Sequence, residues 1–401
     1  MRIPEGTIVA MLTPFDKEGK INEAEVRKLV NFLIGKGVDG IFPVSSCGEY
    51  THMDMSERKF LIDVVVDENR GRVDIIPGTG ATCYHQSIEL AKYAKQKNCS
   101  AIVLHGPYFF KNTEEVVEGH LRKVAVSVDI PVFVYNIPFF ANEVTPLMVE
   151  RLSNIPNVVG IKDSSGNMVN VMNLLEMTRK VNPDFKVLVG AEEIYLPALL
   201  MGGKGCMTAT AGIVPEFMIG IYKAFKEGNI NLAYNLQFAM LPLIRDMKSV
   251  NFPQGFKEAL SVRGIEMGPP KMNYPPEAMA KIADLRERLR LEMGSLIQSY
   301  FPQSQLRYSS TSINPKYIYP EPGYSTQKIK KYSDCTMCGM CEGSKFERSV
   351  NNISGNGNGY ELKNYALNEK SPSLSIDISD SQLSSIISEV IKKLNIFKKD
   401  S

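Results

Sequence analysis

Short apolar runs alternate with longer amphipathic stretches over residues 1–298 of the chain. Each run is rich in valine and isoleucine and is followed by turn-forming residues, a pattern typical of strands buried on both faces in a parallel sheet. Eight such runs predict eight strands, at residues 7–12, 40–44, 73–77, 101–104, 132–135, 158–162, 186–189 and 205–209.

The stretches between these runs have the apolar spacing of helices that bury one face. The clearest of them are residues 23–34, 56–66, 86–96, 113–128 and 168–181. Strands that alternate with helices in this way predict an α/β fold, specifically a (β/α)8 TIM barrel, and the length suits one. Three helical segments after the eighth run predict a C-terminal helical tail, at residues 215–227, 230–247 and 276–293.

The composition changes after residue 298. Residues 299–375 are rich in Ser, Asn, Gly, Pro and Tyr without sustained periodicity, and we interpret them as a flexible linker. Residues 376–401 regain helical periodicity, with an apolar stripe that includes Leu383, Ile387 and Leu394. An isolated helix of this length is marginally stable in water, so its apolar face predicts a binding partner.

Composition and charge exclude several classes of protein. Of 401 residues, 44% are hydrophobic and 22% are charged, as expected for a globular protein with a large core. A net charge of +2 gives no argument for a nucleic-acid or membrane-surface partner. Because no apolar run is long enough to span a bilayer and none resembles a signal peptide, we expect a cytoplasmic protein. Its seven cysteines are then not expected to form disulfides.

Two of the predicted strands end in side chains that can do chemistry. Lys162 ends the sixth run and Tyr135 ends the fifth, and the C-terminal ends of barrel strands form the face that carries active sites. The second run is followed by a polar turn, residues 45–49, whose hydroxyl and N–H groups can hold a carboxylate. These groups suit imine chemistry on a 2-keto acid, in which the amine attacks the ketone and the phenol shuttles protons. Desolvation among apolar barrel residues favours the neutral amine that this attack requires.

Each of these residues also has an ordinary structural explanation. A lysine at a strand end is most often a solvated charge, a tyrosine there is most often a packing residue, and a serine-containing turn is usually only a turn. The catalytic interpretation rests on their combination, because all three lie at the ends of different strands on one face of the predicted barrel.

Several motifs, in their order and spacing, resemble the dihydrodipicolinate synthase and N-acetylneuraminate lyase family. The resemblance extends over about residues 3–297 and rests on Thr13-Pro14-Phe15, Ser46-Cys47-Gly48-Glu49, Gly78-Thr79-Gly80, Tyr135-Asn136-Ile137-Pro138, Gly160-Ile161-Lys162-Asp163 and Gly202-Gly203-Lys204-Gly205. It implies class I aldolase chemistry through a lysine imine, usually with pyruvate, and no metal or organic cofactor. It also implies a homotetramer.

Carried over motif by motif, the resemblance implies roles for individual residues. Lys162 would form the imine, Tyr135 would relay protons, and Ser46 would act with Cys47 in holding the carboxylate of the 2-keto acid. The substrate-binding candidates are Ser46, Cys47, Gly48, Phe140, Glu192 and Met207.

The sequence departs from the synthase pattern at three places. Cys47 stands where the family's turn commonly has a second threonine, and Phe109 stands where the synthases have a tyrosine that completes a proton relay across a subunit interface. Phe139 and Phe140 fill the stretch where the synthases bind a second carboxylate with an arginine. A carboxylate left unpaired in a pocket costs several kcal/mol, so these residues argue against dihydrodipicolinate synthesis.

Glu192 and Glu193 match acidic positions that contact sugar hydroxyls in the lyases, although a solvated helix N-terminus explains them equally well. We therefore predict an aldolase that splits a 2-keto acid, by default a 2-keto-3-deoxy sugar acid, into pyruvate and an aldehyde. A short or apolar aldehyde is also compatible with Phe139 and Phe140. The alternatives are a condensing synthase or a dehydratase that uses the same imine, and a non-catalytic scaffold barrel.

The C-terminal extension carries two further signals. Cys335, Cys338 and Cys341 have the opening spacing of a ferredoxin-type cluster, but no cysteine follows Cys341. A metal or iron–sulfur site completed by another group and three thiols without a specific role are both open interpretations. The helix at residues 376–401 resembles the encapsulation peptides of bacterial microcompartments, which implies a shell or core protein as its partner. Docking of this helix on the barrel, or pairing with a second copy, is the alternative.

Overall fold

The computed structural model describes residues 3–302. Its eight strands are β1 Gly6–Ala10, β2 Gly40–Phe42, β3 Asp74–Ile75, β4 Ile102–His105, β5 Val132–Asn136, β6 Val158–Asp163, β7 Lys186–Val189 and β8 Gly205–Thr208. They are parallel and form one sheet in the order β3-β2-β1-β8-β7-β6-β5-β4. A parallel bridge between Gly78, just past β3, and Val103 in β4 joins the two edge strands. The sheet therefore closes, and the predicted (β/α)8 barrel with a helical tail is confirmed.

Helices follow the strands and then continue beyond them. They are α1 Glu23–Lys36, α2 Met55–Asn69, α3 Tyr84–Gln96, α4 Glu114–Val126, α5 Pro146–Leu152, α6 Met168–Val181, α7 Tyr195–Leu200, α8 Thr210–Ile213, α9 Pro215–Lys226, α10 Ile230–Met247, α11 Gln254–Val262 and α12 Pro276–Tyr300. The first eight follow β1 to β8 in turn, and the last four make the tail.

Local sequence fixes where several helices begin. The Asn22 side chain accepts a hydrogen bond from the Glu25 N–H and so caps α1, and Asp54 and Glu57 form a reciprocal capping box at the start of α2. Between the helices, β1, β5 and β6 are buried along their whole lengths. This double burial is why these strands read as continuous apolar runs in the sequence.

The helices that periodicity did not single out are short or almost wholly buried. They are α5, α7, α8 and α11, and residues 254–260 of α11 are all buried. These helices have four to nine residues, fewer than the roughly 11 over which helical periodicity becomes recognisable. The last helix, α12, also runs on to Tyr300 rather than ending at Met293.

Two expectations about the extension fall outside this part of the chain. The cysteine run at Cys335, Cys338 and Cys341 and the helix at residues 376–401 lie beyond the described residues and stay predictions. Within residues 3–302, no helix is long and apolar enough to cross a bilayer.

Gly160 lets β6 fit closely between its neighbours. A Cβ atom at this position would lie 2.5 Å from the Lys186 carbonyl oxygen in β7 and 2.5 Å from the Phe133 ring in β5. The pairing of β5 with β6 also shifts register between Val132 and Phe133, next to this contact. The spacing of the three strands therefore depends on the missing side chain.

Replacing Gly160 with alanine should lower the free energy of unfolding by about 1–3 kcal/mol, because the added methyl group overlaps both neighbours. Chemical denaturation followed by circular dichroism measures this change. The matched control is Gly294→Ala in α12, where an added Cβ meets nothing within 4 Å. Since glycine disfavours a helix interior, this control should raise stability by roughly 0.5–1 kcal/mol. Similar changes in the two variants would contradict the argument.

Candidate active site

Lys162 and Tyr135 are brought together by strand pairing. The register of β5 and β6 makes Tyr135 the direct partner of Lys162, so both side chains project from the same side of the sheet. The Lys162 Nζ atom lies 4.2 Å from the centroid of the Tyr135 ring and 4.9 Å from that of Phe42 in β2. Lys162 is 4% exposed and Tyr135 is 2% exposed. The amine is thus buried against two aromatic rings.

Among residues 3–302 the Tyr135 phenol has one hydrogen-bond partner, and aromatic rings pack around it. The Ser164 hydroxyl donates a hydrogen bond of 3.4 Å to the Tyr135 Oη atom. The Tyr135 ring packs edge-to-face with Phe42 and with His105, each at 6.3 Å between centroids. Burial lowers the pKa of His105 to about 4, so this imidazole is neutral and adds no positive charge beside the phenol.

Asp163 follows Lys162 in the chain, but its carboxylate is hydrogen-bonded to other residues. Its carboxylate accepts hydrogen bonds of 2.8 Å from the side-chain amides of Asn136 and Asn170, and it also accepts one from the Ser165 N–H. The Asn136 side-chain oxygen in turn accepts from the Val144 N–H. These buried bonds fix the tips of β5 and β6 relative to each other and keep the carboxylate occupied.

Gly190, which follows β7, leaves room for the amine. A Cβ atom at this position would lie 1.9 Å from the Ser164 Oγ atom and 2.7 Å from the Lys162 Cε atom. The absence of a side chain therefore allows Lys162 and Ser164 to share this corner of the barrel mouth.

The turn at residues 45–49 forms hydrogen bonds within itself and leaves two of its backbone N–H groups without an acceptor among residues 3–302. The Gly48 N–H donates to the Ser45 Oγ atom and the Glu49 N–H donates to the Ser46 carbonyl oxygen, while the Ser45 hydroxyl donates to the Met11 carbonyl oxygen. The backbone N–H groups of Ser46 and Cys47 have no acceptor among residues 3–302. Two adjacent free N–H groups and the Ser46 hydroxyl form a donor set that suits a carboxylate.

The Cys47 thiol turns away from that role. It donates to the Ala10 carbonyl oxygen at 3.1 Å and lies 3.1 Å from the Ser45 Oγ atom. Burial raises the pKa of this thiol, so it is protonated at neutral pH and acts as a weak donor to β1. Cys47 can therefore contribute its backbone N–H to an anion in the cavity.

These groups line one cavity of about 460 Å3 at the C-terminal end of the barrel. It contains seven of the eight residues proposed from the sequence, namely Lys162, Tyr135, Ser46, Cys47, Phe140, Glu192 and Met207. Gly48 is the exception, because it lies behind the turn with its N–H bonded to Ser45. Met207 in β8 is fully buried at the inner wall, and Phe140 is exposed at the rim.

Glu192 and Glu193 lie on the wall after β7 but differ in their partners. One Glu192 carboxylate oxygen accepts from the Thr210 hydroxyl at 2.8 Å and from its N–H at 3.3 Å. Glu193 pairs with Lys248 at 2.6 Å, and the second Glu192 oxygen lies 3.9 Å from the same amine. Among the described residues that line the cavity, Lys162 and Lys248 are the cations. Lys248 therefore already has carboxylate partners in this cavity.

The lining residues that were not proposed from the sequence include Ser164, Lys248, Phe252 and Phe256. Ser164 directly follows the strand that carries Lys162, so its position at the barrel mouth could have been inferred from the sequence. The other three come from the tail, at the end of α10 and around the start of α11. Phe252 stacks at 5.5 Å between centroids on Phe140, so the tail completes an aromatic wall at the cavity mouth. Within residues 3–302 no group of three or more metal-ligating side chains is gathered.

Comparisons with known proteins indicate one family. The model of the dihydrodipicolinate synthetase family matches residues 3–288. A 4-hydroxy-tetrahydrodipicolinate synthase of Methanopyrus kandleri is 34% identical over 298 residues, which cover 73% of this chain and 96% of that protein. One from Desulforudis audaxviator is 35% identical over 285 residues, covering 71% and 96%. The crystal structure of YagE from E. coli K12, a prophage protein of the dihydrodipicolinic acid synthase family in complex with pyruvate, superposes with a TM-score of 0.67 at 28% identity. It covers 72% of this chain and 99% of its own.

Proposed function

This chain belongs to the dihydrodipicolinate synthetase family, and we propose that it is a class I aldolase that cleaves a 2-keto-3-deoxy sugar acid to pyruvate and an aldehyde. Members of the family are pyruvate-dependent lyases or synthases. The proposal is carried by one observation, the buried Lys162 amine 4.2 Å from the centre of the Tyr135 ring. An amine and a phenol at this separation, inside a cavity with carboxylate donors, suit imine formation on a 2-keto acid.

In the first step, the Lys162 amine attacks the C2 carbonyl carbon of the substrate. The carboxylate at C1 accepts hydrogen bonds from the N–H groups of Ser46 and Cys47 and from the Ser46 hydroxyl, which aims C2 at the amine. Water then leaves and an iminium ion forms. Tyr135, supported by the Ser164 hydroxyl at 3.4 Å, supplies and removes the protons of this exchange.

In the second step, Tyr135 takes the hydroxyl proton at C4 and the C3–C4 bond breaks. Its electron pair moves into the iminium to give an enamine on Lys162, and the C4 fragment leaves as the aldehyde. Protonation of the enamine at C3 and addition of water release pyruvate and the free amine. Atoms and charge balance without a metal or an organic cofactor.

The charges of the cavity favour an uncharged aldehyde. Lys162 is used by the imine and Lys248 is paired with Glu193. Phe139 and Phe140 at the mouth offer no hydrogen-bond donor to a second carboxylate. The Glu192 oxygen that lies 3.9 Å from the Lys248 amine can also accept from a substrate hydroxyl, which supports a hydroxylated aldehyde over an acidic one.

A second candidate is condensation of pyruvate with an aldehyde that carries a carboxylate. It is favoured by relatives of 34% and 35% identity that are named 4-hydroxy-tetrahydrodipicolinate synthase. The same imine and enamine serve this reaction, with the enamine attacking an aldehyde instead of taking a proton. The cavity wall disfavours this condensation, because a second carboxylate would find no unpaired cation among the described lining residues. A dehydratase that uses the same imine is a further alternative, which releases no pyruvate.

Reduction with borohydride in the presence of pyruvate should attach the reduced pyruvyl group irreversibly to Lys162, as detected by peptide mass spectrometry. Lys162→Ala should abolish this adduct. Lys248→Met removes the other lysine of the cavity and should leave the adduct in place. Tyr135→Phe should still be trapped but should turn over about 10²–10⁴-fold more slowly, because a proton shuttle is lost. An adduct at another lysine, or none, would refute the proposal.

The choice of aldehyde is tested by product analysis on a panel of 2-keto acids. Pyruvate should be released from 2-keto-3-deoxy sugar acids, and aspartate semialdehyde should not condense with pyruvate. The variant Phe140→Arg places a cation at the mouth and should introduce measurable condensation with aspartate semialdehyde, because the second carboxylate gains a partner. Phe140→Leu is the control without a charge. Efficient condensation by the unchanged protein would establish the synthase instead.

We also propose that the enzyme is a homotetramer that is carried into a microcompartment by residues 376–401. Two exposed apolar patches support self-association. The first contains Phe109, which is 88% exposed, and Phe110 at 5.0 Å between ring centroids. The second contains Tyr234 and Phe238 on α10, which stack at 4.3 Å. Patches of this kind commonly mark protein interfaces.

Removal of residues 376–401 should leave turnover and sedimentation as a tetramer unchanged, because the site lies wholly in the barrel and its tail. The same deletion should abolish co-purification with shell proteins in the host. Ile387→Asp with Leu394→Asp is the matched variant, which keeps the length but charges the apolar stripe and should act like the deletion. Unchanged co-purification in both variants would remove the targeting proposal.

A further inference from the structure

Lys257 and Glu49 form a buried ion pair beside the cavity. The Lys257 Nζ atom lies 2.9 Å from a Glu49 carboxylate oxygen, and the two side chains are 1% and 2% exposed. Taking two charges out of water is costly, and apolar residues of similar volume often stabilise a protein as well or better. Stability alone is therefore a weak explanation for this pair.

Glu49 closes the turn that carries the carboxylate donors, and the turn is strained at both ends. Val44 has φ = 57° and Glu49 has φ = 61°, in the left-handed region that non-glycine residues rarely adopt. For a β-branched residue such as Val44 this conformation is especially unfavourable. Backbone strain of this kind persists only where the surroundings hold it in place.

The turn is coupled to the pair through the backbone of Glu49. Its N–H donates to the Ser46 carbonyl oxygen at 3.1 Å, so the conformation of Glu49 sets the orientation of the Ser46–Cys47 peptide group. That group and its neighbour supply the free N–H donors of the cavity. A movement of Glu49 therefore turns these donors away from the substrate.

Lys257 is itself held rigidly. It lies in α11, where residues 254–260 are all buried, and its Nζ atom lies 4.9 Å from the centroid of the buried Phe15 ring. The adjacent Phe256 lines the cavity. The same helix thus contributes to the aromatic wall and reaches the carboxylate-binding turn. Close to the pair, His52 Nδ1 lies 3.6 Å from the other Glu49 oxygen.

We propose that Lys257 and Glu49 are positioning residues, whose ion pair holds the strained turn so that the Ser46 and Cys47 N–H groups bind the substrate carboxylate. This inference rests on the proposed imine chemistry at Lys162. The double variant Glu49→Gln with Lys257→Met removes both charges while keeping similar shapes. Its melting temperature should stay close to that of the unchanged protein, whereas either single substitution leaves one buried charge unpaired and should lower it.

Borohydride trapping at a series of pyruvate concentrations measures the binding effect on the full chain. The half-saturating pyruvate concentration should rise at least about tenfold in the double variant and in Glu49→Gln, equivalent to about 1.4 kcal/mol. Acetone has the ketone but no carboxylate, so its half-saturating concentration should not change. Lys257→Arg keeps the charge and should restore pyruvate binding in part. Weaker binding of pyruvate with unchanged binding of acetone would show that the substitution affects carboxylate binding and not the site as a whole.

The matched control is Glu216→Gln, which breaks the pair between Glu216 and Arg263 at the other end of α11, at 2.6 Å. It should lower the melting temperature and leave pyruvate trapping unchanged. A folded double variant with unchanged pyruvate saturation would overturn the positioning role, as would equal losses for pyruvate and acetone. If the unchanged protein forms no adduct at Lys162, the proposed function fails instead, so the two failures are distinguishable.

Discussion

The register between β5 and β6 is the constraint on which the site depends. Partner residues in a parallel pair project to the same side, so this register alone brings the Tyr135 phenol to the Lys162 amine. A shift by one residue would turn one of the two side chains toward the surrounding helices. Two features maintain this register. Gly160 leaves room for the neighbouring Phe133 ring, and the Asn136 side chain donates a hydrogen bond to Asp163, the residue after Lys162. The approach of the phenol to the amine is therefore set by strand packing, and the loops supply the other groups that line the cavity.

The sequence predicts those residues of the site that lie at the ends of recognisable strands. Lys162 and Tyr135 end apolar runs, so their place at the barrel mouth follows once the runs are recognised as strands. The barrel fold follows from the same alternation. Lys257 gives no such signal, because α11 is buried on every side and its partner Glu49 lies 208 residues away. For Gly48 the sequence identified the turn but not the hydrogen bonding within it. The Gly48 N–H is already bonded to the Ser45 side chain.

The barrel mouth holds two buried lysines in different surroundings. Lys257 has a carboxylate at 2.9 Å and is committed to it. Lys162 instead faces the rings of Tyr135 and Phe42, while Asp163, the carboxylate next to it in the chain, is occupied by two asparagine side chains. An aromatic face interacts with a cation much more weakly than a hydrogen-bonded carboxylate does. The same residue type is therefore structural at one position and open to a substrate at the other.

In the proposed function, the choice between cleavage and condensation depends on the cavity wall formed by Phe139, Phe140, Glu193 and Lys248. Cleavage and condensation at this site would both pass through an enamine, which takes a proton in the first reaction and attacks an aldehyde in the second. The second course requires that the aldehyde stay bound next to the enamine, and this depends on what the wall can neutralise. Here Lys248 is paired with Glu193, and Phe139 and Phe140 present carbon to the cavity. Under the proposed function, an acidic aldehyde would find no unpaired cation on this wall, so the wall rather than the imine residues would separate cleavage from condensation.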